Sequence, residues 1–204
     1  SGSACKGIVR SSSERRKPSV RVTTTAERDT YHQLMAQHPL GDKPLCGAQL
    51  RYLFHSAQGY VGAAAFQSAS FALKDRDQWI GWSAAQRAQK LPFIANNSRL
   101  LILPWIQTSC LASHVLARVR ARLSSDWQVR YGHPIYLLES FVEQGRFSGT
   151  CYQAANWKRV GQTKGRTRQD APDGQRYQAS IKDIYVFSLH HNSTQRLRTG
   201  LIPT

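Results

Sequence analysis

The sequence predicts a mixed α/β fold, with one open sheet of mixed strand direction and helices on both of its faces. Apolar segments of strand length alternate along the chain with segments of helical periodicity. The apolar run at 99–103 is short and ends at Pro104, which is typical of a buried strand. Hydrophobic residues make up 41% of the 204 residues, enough to form the core of one domain of this length.

The N-terminal part of the chain predicts a helix and a β-hairpin after a polar arm. Residues 1–24 contain few apolar side chains, so we expect a flexible, basic arm there. Residues 26–37 have helical spacing, with Thr25 as the expected N-cap. Residues 49–55 and 60–66 predict two strands. The short loop between them ends in glycine, which predicts that they form a hairpin.

The middle of the chain predicts two helices around the buried strand. Residues 68–79 are ambiguous between helix and loop, whereas residues 83–90 predict a short helix with Ser83 as its cap. After the strand, residues 109–123 predict a longer helix. Its leucine and valine side chains fall within a stripe of about 140° on a helical wheel, as a core-facing helix requires.

The C-terminal part of the chain predicts two more strands, a short helix and a basic loop. Residues 134–142 and 181–187 are apolar segments of strand length. Residues 149–157 predict a short helix, and residues 158–168 interleave glycines with basic side chains. The expected domain organisation is a basic flexible arm at 1–24, a single α/β domain at 25–190 and a basic tail at 191–204.

The predicted order of elements is helix, two strands, an ambiguous segment, strand, helix, strand, helix and strand. This order resembles the GNAT acyltransferase fold, in which a central strand leads into a helix whose N-terminus holds a pyrophosphate. The coenzyme A loop of that superfamily has the pattern Gln/Arg-x-x-Gly-x-Gly/Ala, but no glycine occurs here between Leu103 and Ser113. Acyl transfer is therefore implied by the resemblance without support from a motif.

The charge of the chain is strongly basic and unevenly distributed. Lys and Arg number 28 against 12 Asp and Glu, a net charge of +16. The excess lies in residues 1–30, 84–130 and 158–204. Such a balance argues against an acidic binding protein and favours a polyanionic partner, so we expect contacts with nucleic-acid phosphates. The alternative is that a basic surface only keeps the protein soluble.

Candidate phosphate contacts lie on the helix at 109–123 and in the basic loop that follows residue 157. The loop lacks the Gly-Lys-Ser/Thr order of a P-loop, so it does not predict a nucleoside triphosphate site. It does suit a backbone that approaches phosphates, with a solvated basic loop as the alternative. The predicted nucleic-acid-binding residues are Arg118, Arg122, Lys158, Arg159, Lys164, Arg166 and Arg168.

Two charged residues fall inside apolar strand segments. Arg99 enters one strand and Glu139 lies in the middle of another, and a buried charge needs a partner. Either the two side chains pair with each other on adjacent strands, or they line a site. The candidate catalytic residues are Arg99, Glu139, Cys151 and Asn156.

The four cysteines are Cys5, Cys46, Cys110 and Cys151. They form no Cys-x-x-Cys pair and no histidine stands at zinc-ligand spacing, so we predict no metal site. Cys151 falls in the first turn of a predicted helix, where the thiol pKa is lowered, and a nucleophile assisted by His114 or His133 is one interpretation. A packed cysteine is the other.

The cysteine pattern and the length of the apolar segments indicate the cellular compartment of the protein. Unpaired cysteines predict a reducing, intracellular compartment, which we take to be the cytoplasm. The longest apolar stretches, such as 100–106, are far shorter than the ~20 residues of a membrane-spanning helix, and no signal peptide is visible. We therefore expect no membrane partner.

Eight motifs occur in the same order as in a known bacterial family. They are 47–53, 76–82, 96–104, 111–116, 149–152, 155–157, 161–166 and 182–186. With these motifs the chain resembles the DruA-like family, over about residues 30–187. That family is a bacterial domain of the Druantia anti-phage system and is also found next to, or fused with, transposase genes. The resemblance implies a component of phage defence or of a mobile element, but it assigns no catalytic residue and no cofactor.

Three functional hypotheses follow. The first is a protein of phage defence or of a mobile element that binds nucleic acid, DNA in preference to RNA, through its arm, helix and loop. The second is an enzyme that uses a pocket beside the central strand for acyl transfer or, with few acidic residues to hold a metal, for nuclease chemistry. The third is a structural adaptor for a helicase or transposase, so the expected protein partners are defence or transposase proteins.

Overall fold

Seven strands and six α-helices occur in the computed structural model, which describes residues 19–165 and 180–199. The strands are β1 (Ser19–Arg21), β2 (Gln49–Ser56), β3 (Gly59–Ser68), β4 (Ile94–Ile102), β5 (Leu137–Glu143), β6 (Lys158–Gln162) and β7 (Lys182–Ser188). The helices are α1 (Thr25–Met35), α2 (Lys74–Ile80), α3 (Ala84–Lys90), α4 (Leu111–Tyr131), α5 (Thr150–Ala154) and α6 (Ser193–Thr199).

The strands form one sheet in the order β1-β2-β3-β4-β5-β7-β6. Neighbouring strands are antiparallel except β4 and β5, which are parallel and are connected through α4. Side chains alternate between the two faces: Tyr52 and Phe54 pack with α4 and α5, whereas Leu53 packs with α1. The face opposite α4 also carries α2 and α6. The predicted open mixed sheet with helices on both faces is therefore confirmed.

Helix α4 is the crossover between the two parallel strands, and its apolar stripe forms much of the core. Val115, Val119 and Leu123 are buried as the periodicity predicts. The helix continues past the predicted end at 123, because Trp127 extends the buried stripe by another turn. It ends at Gly132, whose φ of 79° places it in the left-handed region that favours glycine.

None of the helices in the described ranges has the length and apolar content needed to cross a bilayer.

Two helix caps test the local predictions. Ser83 caps α3 as predicted, since its side chain accepts a hydrogen bond from the N–H of Gln86. The prediction of Thr25 as the cap of α1 is wrong, because Thr24 accepts from the N–H of Glu27 and the Glu27 carboxylate accepts from the N–H of Thr24. This reciprocal pair is a capping box, and it places the cap one residue earlier.

Three segments have structure that local patterns did not predict. Residues 158–162 form the edge strand β6 rather than a loop, because they pair with β7. Within the predicted arm, residues 19–21 form β1 and pair with β2. Within the predicted tail, residues 193–199 form α6, whose Leu197 is fully buried. These short segments depend on pairing and packing with distant parts of the chain.

Candidate functional site

The predicted phosphate contacts divide between two opposite edges of the sheet. Arg118 and Arg122 lie on α4, which packs beside the edge strand β1. Lys158 and Arg159 lie on the other edge strand, β6, and Lys164 follows it. The two edge strands are the first and the last of the seven in the sheet. These residues therefore belong to two surfaces, while Arg166 and Arg168 lie outside the described residues.

A basic cleft of about 700 Å³ lies at the β1 edge. We call it the arginine cleft. It is lined by four arginines from four elements, Arg21 of β1, Arg28 of α1, Arg51 of β2 and Arg130 of α4. No Asp or Glu lines it among the described residues. The list of predicted phosphate contacts named none of these four arginines, although Arg21 lies within the basic arm that was expected to contribute. The four come together only when β1, β2 and the two helices assemble.

The arginines of this cleft are positioned without carboxylate partners among the described residues. Arg21 NH1 donates to the backbone oxygen of Asp126 at 3.2 Å. The guanidinium carbon of Arg51 lies 5.5 Å from the ring centroid of Tyr31, and that of Arg130 lies 5.9 Å from the ring centroid of Tyr131. Their positive charge is therefore available to a ligand.

Two carboxylates near this region, those of Glu27 and Asp126, already accept hydrogen bonds from other groups. Glu27 accepts from the N–H groups of Thr23 and Thr24 in the α1 cap, and these bonds lower the pKa of Glu27. Asp126 binds Arg122 through an Nε–Oδ2 distance of 2.7 Å and also accepts from Tyr52 Oη at 2.9 Å. Neither carboxylate neutralises the cleft directly.

Two polar atoms in the cleft wall are buried without a partner in the described part of the chain. They are Nε of Arg51 and Oε1 of Gln49. Buried polar groups are normally hydrogen-bonded, so this donor and this acceptor remain available to a water molecule or a ligand in the cleft.

The two predicted arginines of α4 differ in their availability. Arg122 donates to Ser19 O at 2.8 Å as well as to Asp126, so it fastens β1 to α4. Arg118 is exposed, and its contact is a 3.4 Å hydrogen bond from Nε to His114 Nε2. Arg118 is therefore the freer of the two to meet a phosphate.

At the opposite edge, the cations of β6 differ in how far they are already engaged by other side chains. Arg159 pairs with Asp183 at 2.7 Å, and the Lys158 ammonium lies 5.8 Å from the Trp79 ring centroid. Lys164 lines a second cleft of about 980 Å³ together with Lys74 and Lys182. We call this the lysine cleft.

The lysine cleft also contains two carboxylates that are held by other groups. Asp75 Oδ2 accepts from the N–H of Gln162 at 2.9 Å, and a Cβ at position 161 would overlap the Asp75 carboxylate. Glycine at 161 therefore allows α2 to lie against β6. Asp77 pairs with Arg87 at 3.0 Å and with the buried Arg76 at 2.7 Å.

Of the two alternatives for Arg99 and Glu139, the one in which they pair with each other is wrong. Glu139 is fully buried and pairs with Arg76 of α2, with an NH1–Oε2 distance of 2.7 Å, and Ser70 N–H donates to its other oxygen at 2.8 Å. The register places Glu139 opposite Asn96, three residues before Arg99. Desolvation raises the pKa of Glu139, while the Arg76 charge opposes this shift. Arg76 begins one of the family motifs, but nothing in the local sequence marked it as a buried charge, because it lies in the segment that was ambiguous between helix and loop.

The parallel strands β4 and β5 separate after a short pairing. They are in register only from Ile94 to Asn96 and from Leu137 to Glu139. Beyond this point β4 stays paired with β3 and β5 with β7. The space between the diverging strands is a cavity of about 340 Å³, which we call the sheet gap.

The sheet gap brings together two of the four candidate catalytic residues. Arg99 and Cys151 line it, Glu139 is buried beneath Arg76, and Asn156 is exposed at a turn with φ of 62°. Burial raises the pKa of the Cys151 thiol, which opposes the thiolate form. His114 and His133 are not among the described residues that line the gap.

The inner wall of the gap contains a closed hydrogen-bond network. Tyr152 Oη donates to Asn97 Oδ1 at 2.8 Å, and Ser140 Oγ donates to the backbone oxygen of Asn97 at 2.9 Å. Burial raises the pKa of Tyr152, so its hydroxyl stays protonated.

No group of three or more His, Cys, Asp or Glu side chains arranged to hold a metal ion occurs in ranges 19–165 and 180–199.

Comparison with solved structures identifies the fold. A GNAT family acetyltransferase from Elizabethkingia anophelis with acetyl-CoA bound matches with a TM-score of 0.52 and 8% identity, covering 85% of this chain and 99% of that one. The ribosomal-protein-S18-alanine N-acetyltransferase from Escherichia coli matches with a TM-score of 0.51 and 9% identity, covering 84% and 94%. At such identities the likeness shows the fold alone.

Sequence comparison gives a family match. A family model described as Druantia protein DruA matches residues 7–180. Among the curated proteins, none matches the chain.

Proposed function

The chain belongs to the DruA family of the Druantia anti-phage system, and from this premise we propose that it acts in phage defence by binding nucleic acid through the arginine cleft. The observation that carries this proposal is that four arginines from four different elements line one cleft that no carboxylate lines among the described residues. A net charge of +16 adds a long-range attraction for a polyanion.

The chemistry of the cleft fits phosphate recognition. A guanidinium group presents a planar set of N–H donors that matches two phosphate oxygens, which makes arginine the preferred residue for this contact. Four such groups around about 700 Å³ can meet successive phosphates of one strand. Contacts of this kind position a nucleic acid without reading its bases, so binding is expected to depend weakly on sequence.

Two further basic regions support the same function. Exposed Arg118 lies on α4, the helix that also carries Arg130 of the cleft. Residues 1–18, which precede β1 in the chain, contain five basic residues and one acidic residue. DNA is the proposed nucleic acid, and defence or transposase proteins are the proposed protein partners.

The acyl-transfer alternative draws its support from the fold. No glycine occurs between Leu103 and Ser113, the segment that leads into α4. The raised pKa of Cys151 also disfavours a thiolate nucleophile in the sheet gap. Residue chemistry therefore favours nucleic-acid binding over acyl transfer.

Fluorescence anisotropy of labelled single- and double-stranded DNA and RNA across a salt series tests the proposal. The double variant Arg28→Gln/Arg130→Gln removes two cleft cations. We expect weaker binding and a slope of log K against log salt that is smaller by about 1.8 for duplex DNA, or about 1.4 for a single strand. The size of the change therefore also reports which form occupies the cleft.

A matched control removes the same charge elsewhere. The double variant Lys90→Gln/Arg198→Gln changes α3 and α6, on the side of the molecule away from the cleft. Its slope should stay close to that of the unmodified chain. Equal slopes for both double variants would show that the cleft is not the contact surface, and weak binding to every nucleic acid would reject the proposal.

A further inference from the structure

The sheet gap carries positive charge that carboxylates of the described residues neutralise poorly. Arg99 donates to two backbone oxygens, Gly41 O at 3.3 Å and Ser98 O at 2.8 Å. Arg146 NH1 lies 3.8 Å from Glu143 Oε2, which is long for a charge-assisted hydrogen bond. Each guanidinium group therefore keeps N–H donors for another acceptor.

His38 lines the sheet gap together with Arg99 and Arg146, and its ring also forms a hydrogen bond with the backbone of Leu100. The N–H of Leu40 donates to its Nδ1 atom at 3.1 Å, which places the ring proton on Nε2. Burial and then the charges of Arg99 and Arg146 lower the pKa of His38 to about 4. Arg99, Arg146 and His38 all line this one cavity of about 340 Å³, so the two guanidinium groups belong to the same site.

The rest of the gap has the size and lining of a small-molecule site. Its volume of about 340 Å³ lies within the usual range for ligand pockets. Ser98 Oγ in its wall is buried without a hydrogen-bond partner among the described residues. Lys182, which also borders the lysine cleft, adds a third cation, and Glu143, which is paired with it across β5 and β7, adds one carboxylate, so the charged side chains of the lining carry a net charge of +2. The apolar lining residues are Leu40, Leu100, Phe141, Val142 and Phe147.

From this arrangement we propose that Arg99 and Arg146, together with Lys182, bind the phosphate group of a phosphate monoester, and that the rest of the ligand packs in the sheet gap. Two guanidinium groups and a lysine match a dianion better than a carboxylate, which carries a single charge. A phosphate monoester occurs both in a free nucleotide and at the 5′ end of a nucleic-acid strand. The site is distinct from the arginine cleft and does not depend on it.

Isothermal titration calorimetry on the full chain tests this site. The probes are adenosine 5′-monophosphate, adenosine, and one oligonucleotide with and without a 5′-phosphate. The variants are Arg99→Gln and Arg146→Gln, with Arg198→Gln as an exposed control that removes the same charge. Loss of a hydrogen bond to a charged group should weaken binding of the phosphorylated probe at least about tenfold. The control should bind as the unmodified chain does.

The outcomes separate the two sources of the phosphate. Binding of adenosine 5′-monophosphate that depends on Arg99 and Arg146 supports a free ligand, and the same dependence seen only with the 5′-phosphorylated strand supports a strand end. The proposal is overturned if adenosine binds as tightly as its monophosphate, if no phosphate-dependent binding occurs, or if the Arg146→Gln variant binds normally. Arg146 is about half exposed, so its replacement tests the site without disturbing the core.

Discussion

Replacement of Arg76 by methionine would leave the Glu139 carboxyl group buried with one hydrogen bond, that from Ser70. Arg76 and Glu139 have side chains with no exposed surface, and the pair joins α2 to the centre of the sheet. Removing one partner of a buried ion pair typically destabilises a protein by about 3–5 kcal/mol, because the other charge remains in a medium of low polarity.

In the Arg76→Met variant, Glu139 can avoid being a buried charge by taking up a proton. The free energy of that protonation is therefore the most that the unpaired charge can cost. The ordinary pKa of a glutamate is 4.5. Holding such a group neutral in the folded protein costs about 1.4 kcal/mol for each pH unit above that value, about 3.4 kcal/mol at pH 7. At pH 5.5 the same step costs about 1.4 kcal/mol. The difference in unfolding free energy between the unmodified chain and Arg76→Met should therefore shrink by up to about 2 kcal/mol when the pH is lowered from 7 to 5.5.

Urea unfolding of the unmodified chain and of Arg76→Met at pH 7 and pH 5.5 measures this difference. The double variant Arg76→Met/Glu139→Leu removes both charges and should be less destabilised at pH 7 than the single variant. A destabilisation by Arg76→Met that is the same at both pH values, or larger at pH 5.5, would refute the reasoning. Glu139 would then not depend on Arg76 for its charge.

Two further predictions concern His38 and the basic loop. The pKa of His38 is about 4 in the folded chain and 6.5 when unperturbed, so its contribution to stability is complete above pH 6.5 and disappears as the pH falls to 4. After allowance for partial solvent exposure this is about 1–2 kcal/mol, and urea unfolding of His38→Gln should lose that part of the pH dependence. Replacement of Lys164, Arg166 and Arg168 by alanine should weaken nucleic-acid binding on all sequences and lower the salt slope by about 2–3. Unchanged anisotropy titrations would remove the loop from the interface.

Elements that are specified by neighbouring residues, through an apolar stripe, a cap or a turn glycine, could be predicted from the sequence. The leucine and valine stripe predicted α4 and its buried face, and Ser83 predicted the start of α3. The hairpin of β2 and β3 followed from two apolar segments and the glycine between them. The order of these elements was enough to predict the fold class, because each pattern shows which side of its own element is apolar.

Which elements meet was decided by the tertiary structure. Glu139 was recognised as a buried charge, but its partner Arg76 lies 63 residues earlier and was not predicted. Arg21 and Arg28 stand far from Arg51 and Arg130 in the chain, and the four form one cleft because β1 pairs with β2 and α4 ends beside them. Periodicity identifies the face that an element buries, whereas strand order and register determine the residues that this face contacts. The sequence by itself therefore determined the class of fold and the basic character of the surface, and only the tertiary structure decided where separate charges form a site.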